Sequence, residues 1–155
     1  MKILGIDPGA GGALAFFDPL AGTLELLDMP VMIVERNGKA RREISEQMIA
    51  AVIGARSPNV AVVEKVSAMP GQGVTSMFSF GLAFGLVRGV LAGQAIPIEL
   101  VTPQTWQKAL GVRGGKDGSR QRACELFPAY VAEFARKKDN GRADAALIAM
   151  WKAMK

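Results

Sequence analysis

Two acidic residues each end an apolar run, a position from which a carboxylate could face a metal ion or a substrate. Asp7 follows the run at 3–6, and Glu64 follows the run at 59–63. The second run has no polar alternation, which is typical of a strand that is covered on both faces in a parallel arrangement. Two such strands lying parallel and adjacent would bring both carboxylates to one edge of the sheet, where open α/β folds place their sites. Either acid alone is better explained as a strand end that reaches water.

A third acid, Asp144, lies on the final predicted helix, which starts near residues 140–142. It shares one helix face with Ile148 and Trp151, at spacings of four and seven residues. Because this face packs on the sheet, Asp144 is predicted to point inward. An acid in the first turn of a helix is often only a partner of the helix dipole, but such an acid normally faces water. Because Asp144 faces inward, a functional role and a purely structural role for this acid are equally well supported by the sequence.

The absence of histidine restricts what these acids could do. With no histidine and with Cys124 as the single cysteine, the sequence excludes Ser-His-Asp and Cys-His catalysis and nearly excludes a zinc site. Metal chemistry would use oxygen ligands, which favours Mg²⁺, with Mn²⁺ as a substitute. Three inward carboxylates suit two-metal hydrolysis of a phosphodiester, because the metal generates the nucleophile and no histidine is needed.

The composition predicts one basic domain that spans residues 1–155. Half of the 155 residues are apolar, and the net charge is +5. The length is sufficient for a single core, and the charge makes an acidic polymer such as DNA a plausible partner. A single cysteine and no cleavable signal predict a reducing, cytoplasmic or organellar location.

Alternating strands and helices are predicted to position the acids. The turn at Pro8-Gly9 predicts a hairpin between the first run and a second strand at 13–17. Further elements are predicted as a strand at 23–29, a helix from the N-cap Ser45 to Arg56, a strand at 96–101 and a helix from Thr102-Pro103 to Leu110, in which Trp106 is most simply a core residue.

The segment at 30–42 is predicted to be mostly a loop. Residues 31–34 could extend a strand, and a basic surface loop follows with four cationic residues: Arg36, Lys39, Arg41 and Arg42. These residues would either contact phosphates or only be solvated.

Glycine recurs at every fourth position of the apolar stretch 74–92, at Gly81, Gly85, Gly89 and Gly93. This ridge of small residues is typical of closely packed helices. A membrane span is disfavoured, because Arg88 falls in the middle of the stretch and no second span or basic flank accompanies it. In a soluble protein the ridge would let the backbone approach a sheet, a partner subunit or a ligand closely, and we expect it to pack closely against another helix.

The most basic segment of the chain is the glycine-rich stretch 111–122. Its cationic residues are Arg113, Lys116, Arg120 and Arg122, and Asp117 or Ser119 could cap the helix that follows. Free backbone N–H groups beside basic residues at a helix N-terminus suit a phosphodiester backbone, although a solvated connector has the same composition.

Three stretches of the sequence together resemble the RuvC-type Holliday-junction resolvases, in particular their phage-like and organellar branch. The stretches are GIDPGAGGALAFF at 5–17, VVEKVSAMPGQGVTSMFSFG at 62–81 and GRADAALIA at 141–149. The resemblance implies a ribonuclease-H-like α/β fold with a five-stranded mixed sheet, in which the first three strands are antiparallel and helices cover both faces. It also implies a Mg²⁺-dependent homodimer that nicks four-way DNA junctions symmetrically and leaves 5′-phosphate and 3′-hydroxyl ends.

The resemblance also implies roles for individual residues. Asp7, Glu64 and Asp144 would bind the metal, and Lys116 would act near the scissile phosphate. Met69, Pro70, Gln72 and Phe78 would enter the junction and bind DNA. The basic segment itself, apart from the resemblance, adds Arg113, Ser119 and Arg120 beside Lys116 as predicted DNA contacts. Better-studied members carry a fourth acid three residues before the last one, where this chain has Gly141. Of the nearby candidates, Asp139 is preferred over Asn140 as the fourth metal ligand.

Two other classes of protein are compatible with the same motifs. One is a protein with this fold that binds branched DNA without cutting it, and the intact set of three acids argues against it. The other is an actin-like ATP-binding lobe, because the glycine-rich turn at 7–12 also resembles such a phosphate loop. The chain is too short for the two lobes which that fold needs, so no nucleotide cofactor is expected.

Overall fold

Five of the seven strands found in the described residues form one mixed sheet. The computed structural model describes residues 1–68 and 70–155, with all of their side chains except that of Lys116. The strands are β1 (Ile3–Asp7), β2 (Ala13–Asp18), β3 (Thr23–Asp28), β4 (Val31–Arg36), β5 (Lys39–Ile44), β6 (Val60–Glu64) and β7 (Ile98–Val101). The sheet has the order β3-β2-β1-β6-β7, and β4 pairs with β5 separately. The strands β1, β2 and β3 are antiparallel, whereas β6 and β7 run parallel to β1.

Helices cover both faces of this sheet. They are α1 (Glu46–Arg56), α2 (Val74–Gly93), α3 (Pro103–Leu110), α4 (Gly118–Leu126) and α5 (Asn140–Ala153). Short 3₁₀ helices occupy Gly115–Asp117, Pro128–Phe134 and Lys137–Asp139. The helices α1 and α2 pack on one face and α3, α4 and α5 on the other, each with its own apolar core. The predicted fold, a five-stranded mixed sheet between two layers of helices, is confirmed.

Glycine allows α5 to lie directly on β1. A Cβ atom at Gly5 would lie 2.1 Å from the carbonyl oxygen of Ala145 and 2.7 Å from the backbone nitrogen of Ala149. Since side chains alternate along a strand, Gly5 faces the same side of the sheet as Asp7. This close approach brings Asp144, which precedes Ala145, to the face that carries Asp7.

The segment after β3 differs from the predicted loop, because β4 and β5 form an antiparallel hairpin. Its strands pair from Val31 with Ile44 to Arg36 with Lys39. Asn37 and Gly38 form the turn, with φ angles of 53° and 70°. An Asn-Gly pair with both φ angles positive is the preferred turn of a two-residue hairpin, so the signal for this element was in the sequence.

The glycine ridge of α2 does not pack against another helix among the residues that the structure describes. In that part of the chain, Cβ atoms at Gly81, Gly85, Gly89 and Gly93 would meet nothing within 4 Å, so the predicted close packing is wrong for the single chain as described. The opposite face of α2 is the buried one. By length and composition alone, α2 is long and apolar enough to cross a membrane, and 17% of its most apolar window is buried in the chain.

Candidate active site

The three predicted acids come from three elements that meet on one face of the sheet. The register pairs Ile6 with Val63, so the next residues, Asp7 and Glu64, end adjacent parallel strands side by side. Asp144 comes from the first turns of α5 above them. The three carboxylates lie near one another. As a result, the charges of Asp144 and Glu64 both raise the pKa of Asp7.

Burial and mutual repulsion make these acids reluctant to ionise. Burial is the main cause that raises the pKa of Asp7 to about 7, and the charges of Asp144 and Glu64 raise it further, against the lowering effect of the Gly9 N–H. Burial also raises the pKa of Asp144 to about 6, a hydrogen bond with Ser119 lowers it, and the charge of Glu64 raises it. A cation between the carboxylates would offset both the burial of their charges and the repulsion between them.

Trp106 positions the carboxylate of Glu64 through a hydrogen bond. Its indole Nε1 donates a hydrogen bond of 2.9 Å to Oε1 of Glu64, and its side chain is fully buried. Burial raises the pKa of Glu64, and this hydrogen bond opposes the rise. The sequence assigned Trp106 only to the core, because a contact across 42 residues leaves no local signal.

Ser119 and Arg120, two of the predicted DNA contacts, both make contacts within the chain. Ser119 is buried, with 8% of its surface exposed, and hydrogen-bonds to Asp144. Arg120 donates to Oδ1 of Asp117 at 2.5 Å and to the carbonyl oxygen of Ala135 at 3.1 Å. Ser119 therefore positions Asp144, and Arg120 connects the start of α4 to the segment that contains Ala135.

The donor set at the sheet edge fits a hard divalent cation. Oδ1 of Asp144 is buried and has no hydrogen-bond partner among the described residues, and such an orphaned oxygen is normally matched by a partner. In the described part of the chain, no group of three or more His, Cys, Asp or Glu side chains is arranged to hold a metal as it stands. Closing the three carboxylates around an ion requires them to approach one another, which their repulsion resists until a cation is present.

Asp139 does not join the three acids. Its carboxylate accepts hydrogen bonds from the backbone N–H of Arg136 at 2.9 Å and from the guanidinium Nη2 of Arg136 at 2.9 Å. This pairing is the main cause that lowers the pKa of Asp139. The preferred fourth ligand is therefore already neutralised by an arginine, and we do not retain it in the site.

The predicted junction-binding residues are divided between described and undescribed positions. Pro70 and Gln72 are exposed, and Phe78 is 70% exposed on α2. Arg113 is also exposed. The predicted contact at Met69 lies outside the described residues, as does the side chain of Lys116.

A basic and aromatic cleft lies beside the turn that carries Asp7. The cleft has a volume of about 450 Å³ between the β4–β5 hairpin and α2. Its lining includes Ala10 of the β1–β2 turn together with Arg36, Arg41, Arg42, Phe78 and Phe80. Glu43 and Glu46 also line it, and Glu43 pairs with Arg36 at 3.2 Å, so Arg41 and Arg42 supply the excess positive charge. A ring carbon of Phe80 would be 3.6 Å from a Cβ at Gly9, so the cleft borders the acidic site. Arginines beside exposed rings suit phosphates and unstacked bases.

The fold and the site together define a class: a ribonuclease-H-like domain with carboxylates at the ends of two central parallel strands and on the last helix. No protein-family model matches the chain. By sequence it is 30% identical over 146 residues to the chloroplastic Holliday junction resolvase MOC1 of Chlamydomonas reinhardtii. The match covers 80% of this chain but only 17% of that relative.

Solved structures of resolvases have the same fold. Thermus thermophilus RuvC, in complex with a Holliday junction substrate, superposes with a TM-score of 0.67 at 16% identity, covering 99% of this chain and 95% of that one. The yeast mitochondrial Holliday junction resolvase Ydc2 superposes with a TM-score of 0.60 at 17% identity, covering 97% and 78%. The resemblance to RuvC-type resolvases is confirmed by these likenesses.

Proposed function

We propose that this protein is a structure-selective endonuclease that resolves four-way DNA junctions, leaving 5′-phosphate and 3′-hydroxyl ends. The observation that carries the proposal is the meeting of Asp7, Glu64 and Asp144 at one sheet edge, in a fold shared with junction resolvases. The sequence similarity to a chloroplastic Holliday junction resolvase supports the same substrate.

Asp7, Glu64 and Asp144 bind Mg²⁺ in this proposal, and Mn²⁺ substitutes for it. When bound, the metal lowers the pKa of an attacking water and stabilises the charge on the leaving oxygen. With a cation bound, these carboxylates would hold it in their ionised form, because its charge would outweigh the burial and the neighbouring charges that raise their pKa values. Trp106 and Ser119 hold the carboxylates of Glu64 and Asp144 in place.

The DNA is held by the surface around this site. Phe78 stacks against unpaired bases at the junction centre, next to Pro70 and Gln72, and the arginines of the hairpin contact phosphates along the adjacent cleft. Lys116 acts near the scissile phosphate, a role that comes from the sequence resemblance. Met69 belongs to the same junction-entering loop by that resemblance.

The active form is a homodimer, which a symmetric cut in two opposing strands requires. The exposed face of α2 supports this, because its open glycine ridge is accompanied by the exposed apolar side chain of Leu82, at 53%. A second α2 helix would cover this face. This packing would bury the exposed apolar surface of α2 against protein, so no membrane is needed to cover it. The protein then works where DNA is present, in the cytoplasm or in an organelle.

Cleavage of a synthetic four-way junction tests the proposal. We expect nicks at symmetric positions with Mg²⁺, no cleavage with EDTA, and little cleavage of a linear duplex of the same sequence. Tight junction binding without any cleavage would indicate a binding protein instead. Binding of ATP, with neither junction binding nor cleavage, would indicate the nucleotide-binding lobe.

A further inference from the structure

A buried amide oxygen lies one helical turn before Asp144. Oδ1 of Asn140 is buried and has no hydrogen-bond partner among the described residues, and Oδ1 of Asp144 is in the same state. Two unpartnered buried oxygens four residues apart share one side of α5. Unpaired buried acceptors are costly, so both are explained by a common cationic partner.

The first turn of α5 also touches the turn that carries Asp7. A Cβ atom at Gly141 would lie 2.7 Å from the carbonyl oxygen of Gly11 and 2.8 Å from Cα of Gly12. Gly12 in turn lies against Asp7, because its Cβ would be 2.9 Å from Cγ of Asp7. Position 141, where the resemblance places the fourth acid, therefore has no room for a side chain in this chain.

Helix geometry places position 140 close to the direction of Asp144. Residues four apart are separated by about 40° around an α-helix, and residues three apart by about 60°. A ligand moved from position 141 to position 140 therefore stays on the same side of the helix as Asp144. Asp139, the other neighbouring candidate, is paired with Arg136.

We propose that Oδ1 of Asn140 is the fourth oxygen ligand of the metal site, a neutral ligand beside Asp7, Glu64 and Asp144. This inference rests on the proposed function, because it concerns the same site. Amide carbonyl oxygens are accepted ligands of hard divalent cations. A neutral ligand also adds no further negative charge beside three acids that already lie together at the site.

Binding of Mn²⁺ alone to the full chain, measured by electron paramagnetic resonance without DNA, tests this inference. We expect Asn140→Ala to weaken Mn²⁺ binding by roughly 10-fold or more. Asn140→Asp should bind Mn²⁺ at least as tightly as the natural protein, because a carboxylate keeps the oxygen and adds a charge. If both variants bind Mn²⁺ like the natural protein, or if Asn140→Asp weakens binding as much as Asn140→Ala, the inference is wrong. Thermal melts in EDTA verify that each variant is folded.

Two further variants separate this inference from the proposed function. Asp139→Asn is the matched control: it removes the rival carboxylate, and we expect unchanged Mn²⁺ affinity with a lower melting temperature, because the Arg136 pair is lost. A weakened Mn²⁺ affinity in Asp139→Asn would overturn the choice of Asn140. Asp144→Asn should weaken binding. If the natural protein and Asp144→Asn both fail to bind Mn²⁺, the proposed function and the inference fail together; if Asp144→Asn alone weakens binding, only the inference fails.

Discussion

Asp7 is held in its site at a cost to the folded protein, because it is buried beside two other acids. Its pKa rises from 3.8 to about 7 on folding. Between these two values the folded protein binds more protons at this residue than the unfolded chain does. In acid the neutral side chain has no such cost, and the free energy of unfolding falls as the pH rises from about 4 to about 7, because the folded protein must then accommodate the charge.

We predict that Asp7→Asn stabilises the metal-free protein at alkaline pH. At about pH 8 in EDTA, the free energy of unfolding should rise by roughly 2–4 kcal/mol, since the amide never takes on the unfavourable charge. At about pH 4 the two proteins should be nearly equal. Urea unfolding at both pH values measures this.

The matched control for this prediction is Asp18→Asn, at an exposed turn. The pKa of Asp18 is lowered, chiefly by its hydrogen bond from the N–H of Leu20, so its contribution has the opposite sign. Asp18→Asn should be slightly less stable than the natural protein at alkaline pH. If Asp7→Asn is no more stable than the natural protein at about pH 8 without metal, the carboxylate is not destabilised as described.

Trp106 is predicted to set the pH range in which Glu64 is ionised. Trp106→Phe removes the indole donor and keeps an aromatic ring, so the pKa of Glu64 should rise. The acidic limb of the pH profile of junction cleavage should therefore move to higher pH. At alkaline pH the variant should cleave at a rate close to that of the natural protein. A pH profile of single-turnover cleavage measures the shift.

Trp151→Phe is the control for the loss of an indole ring. Trp151 is also buried, but its ring contacts Lys155, with Nζ at 3.6 Å from the ring centroid. We expect this variant to keep the natural pH profile. An unchanged profile in Trp106→Phe, or an equal shift in both variants, would mean that the hydrogen bond to Glu64 does not govern the pH dependence.

At the scale of elements, the site depends on how closely α5 approaches β1. We predict that Gly5→Ala destabilises the fold by about 3 kcal/mol and abolishes cleavage, because a methyl group would collide with the α5 backbone. Thermal unfolding and junction cleavage are the measurements. Gly11→Ala, where a Cβ meets nothing within 4 Å, should leave both unchanged. A stable and active Gly5→Ala variant would show that the contact does not position Asp144.

Local patterns predicted the main elements, but not the contacts between distant ones. The strands that end at Asp7 and Glu64 were recognisable because each is an apolar run with one terminal acid. The β4–β5 hairpin was missed because the Asn37-Gly38 signal was passed over among basic residues. The Trp106 contact to Glu64 was not predictable, since only the folded chain brings α3 to β6.

Contacts between distant residues also explain why the sequence favoured Asp139 over Asn140 as the fourth metal ligand. An acid such as Asp139 is the natural choice when side chains are compared by type alone. Its pairing with Arg136 and the closed space at Gly141 become visible only in three dimensions. The layer order predicted from the sequence is confirmed, the three acids stay a prediction, and the hydrogen bonds that support them came from the structure.

For the whole molecule, the open face of α2 is predicted to be the dimer interface. Gly85→Leu places a large side chain on the ridge where the single chain has free space. The variant should therefore fold normally and remain monomeric, whereas the natural protein should be a dimer by analytical ultracentrifugation. Ala109→Leu, which places the same leucine side chain at an exposed position of α3, should remain dimeric. A dimeric Gly85→Leu variant would exclude this face.

The central claim is that three carboxylates from distant parts of the chain form one cutting site. The most direct test is to measure binding and cleavage of the same four-way junction by Asp7→Asn in Mg²⁺. We predict that the cleavage rate falls by at least roughly 1,000-fold while the dissociation constant changes by less than about threefold. Cleavage at the natural rate, or an equal loss of binding and cleavage, would contradict the account and leave Asp7 with a structural role.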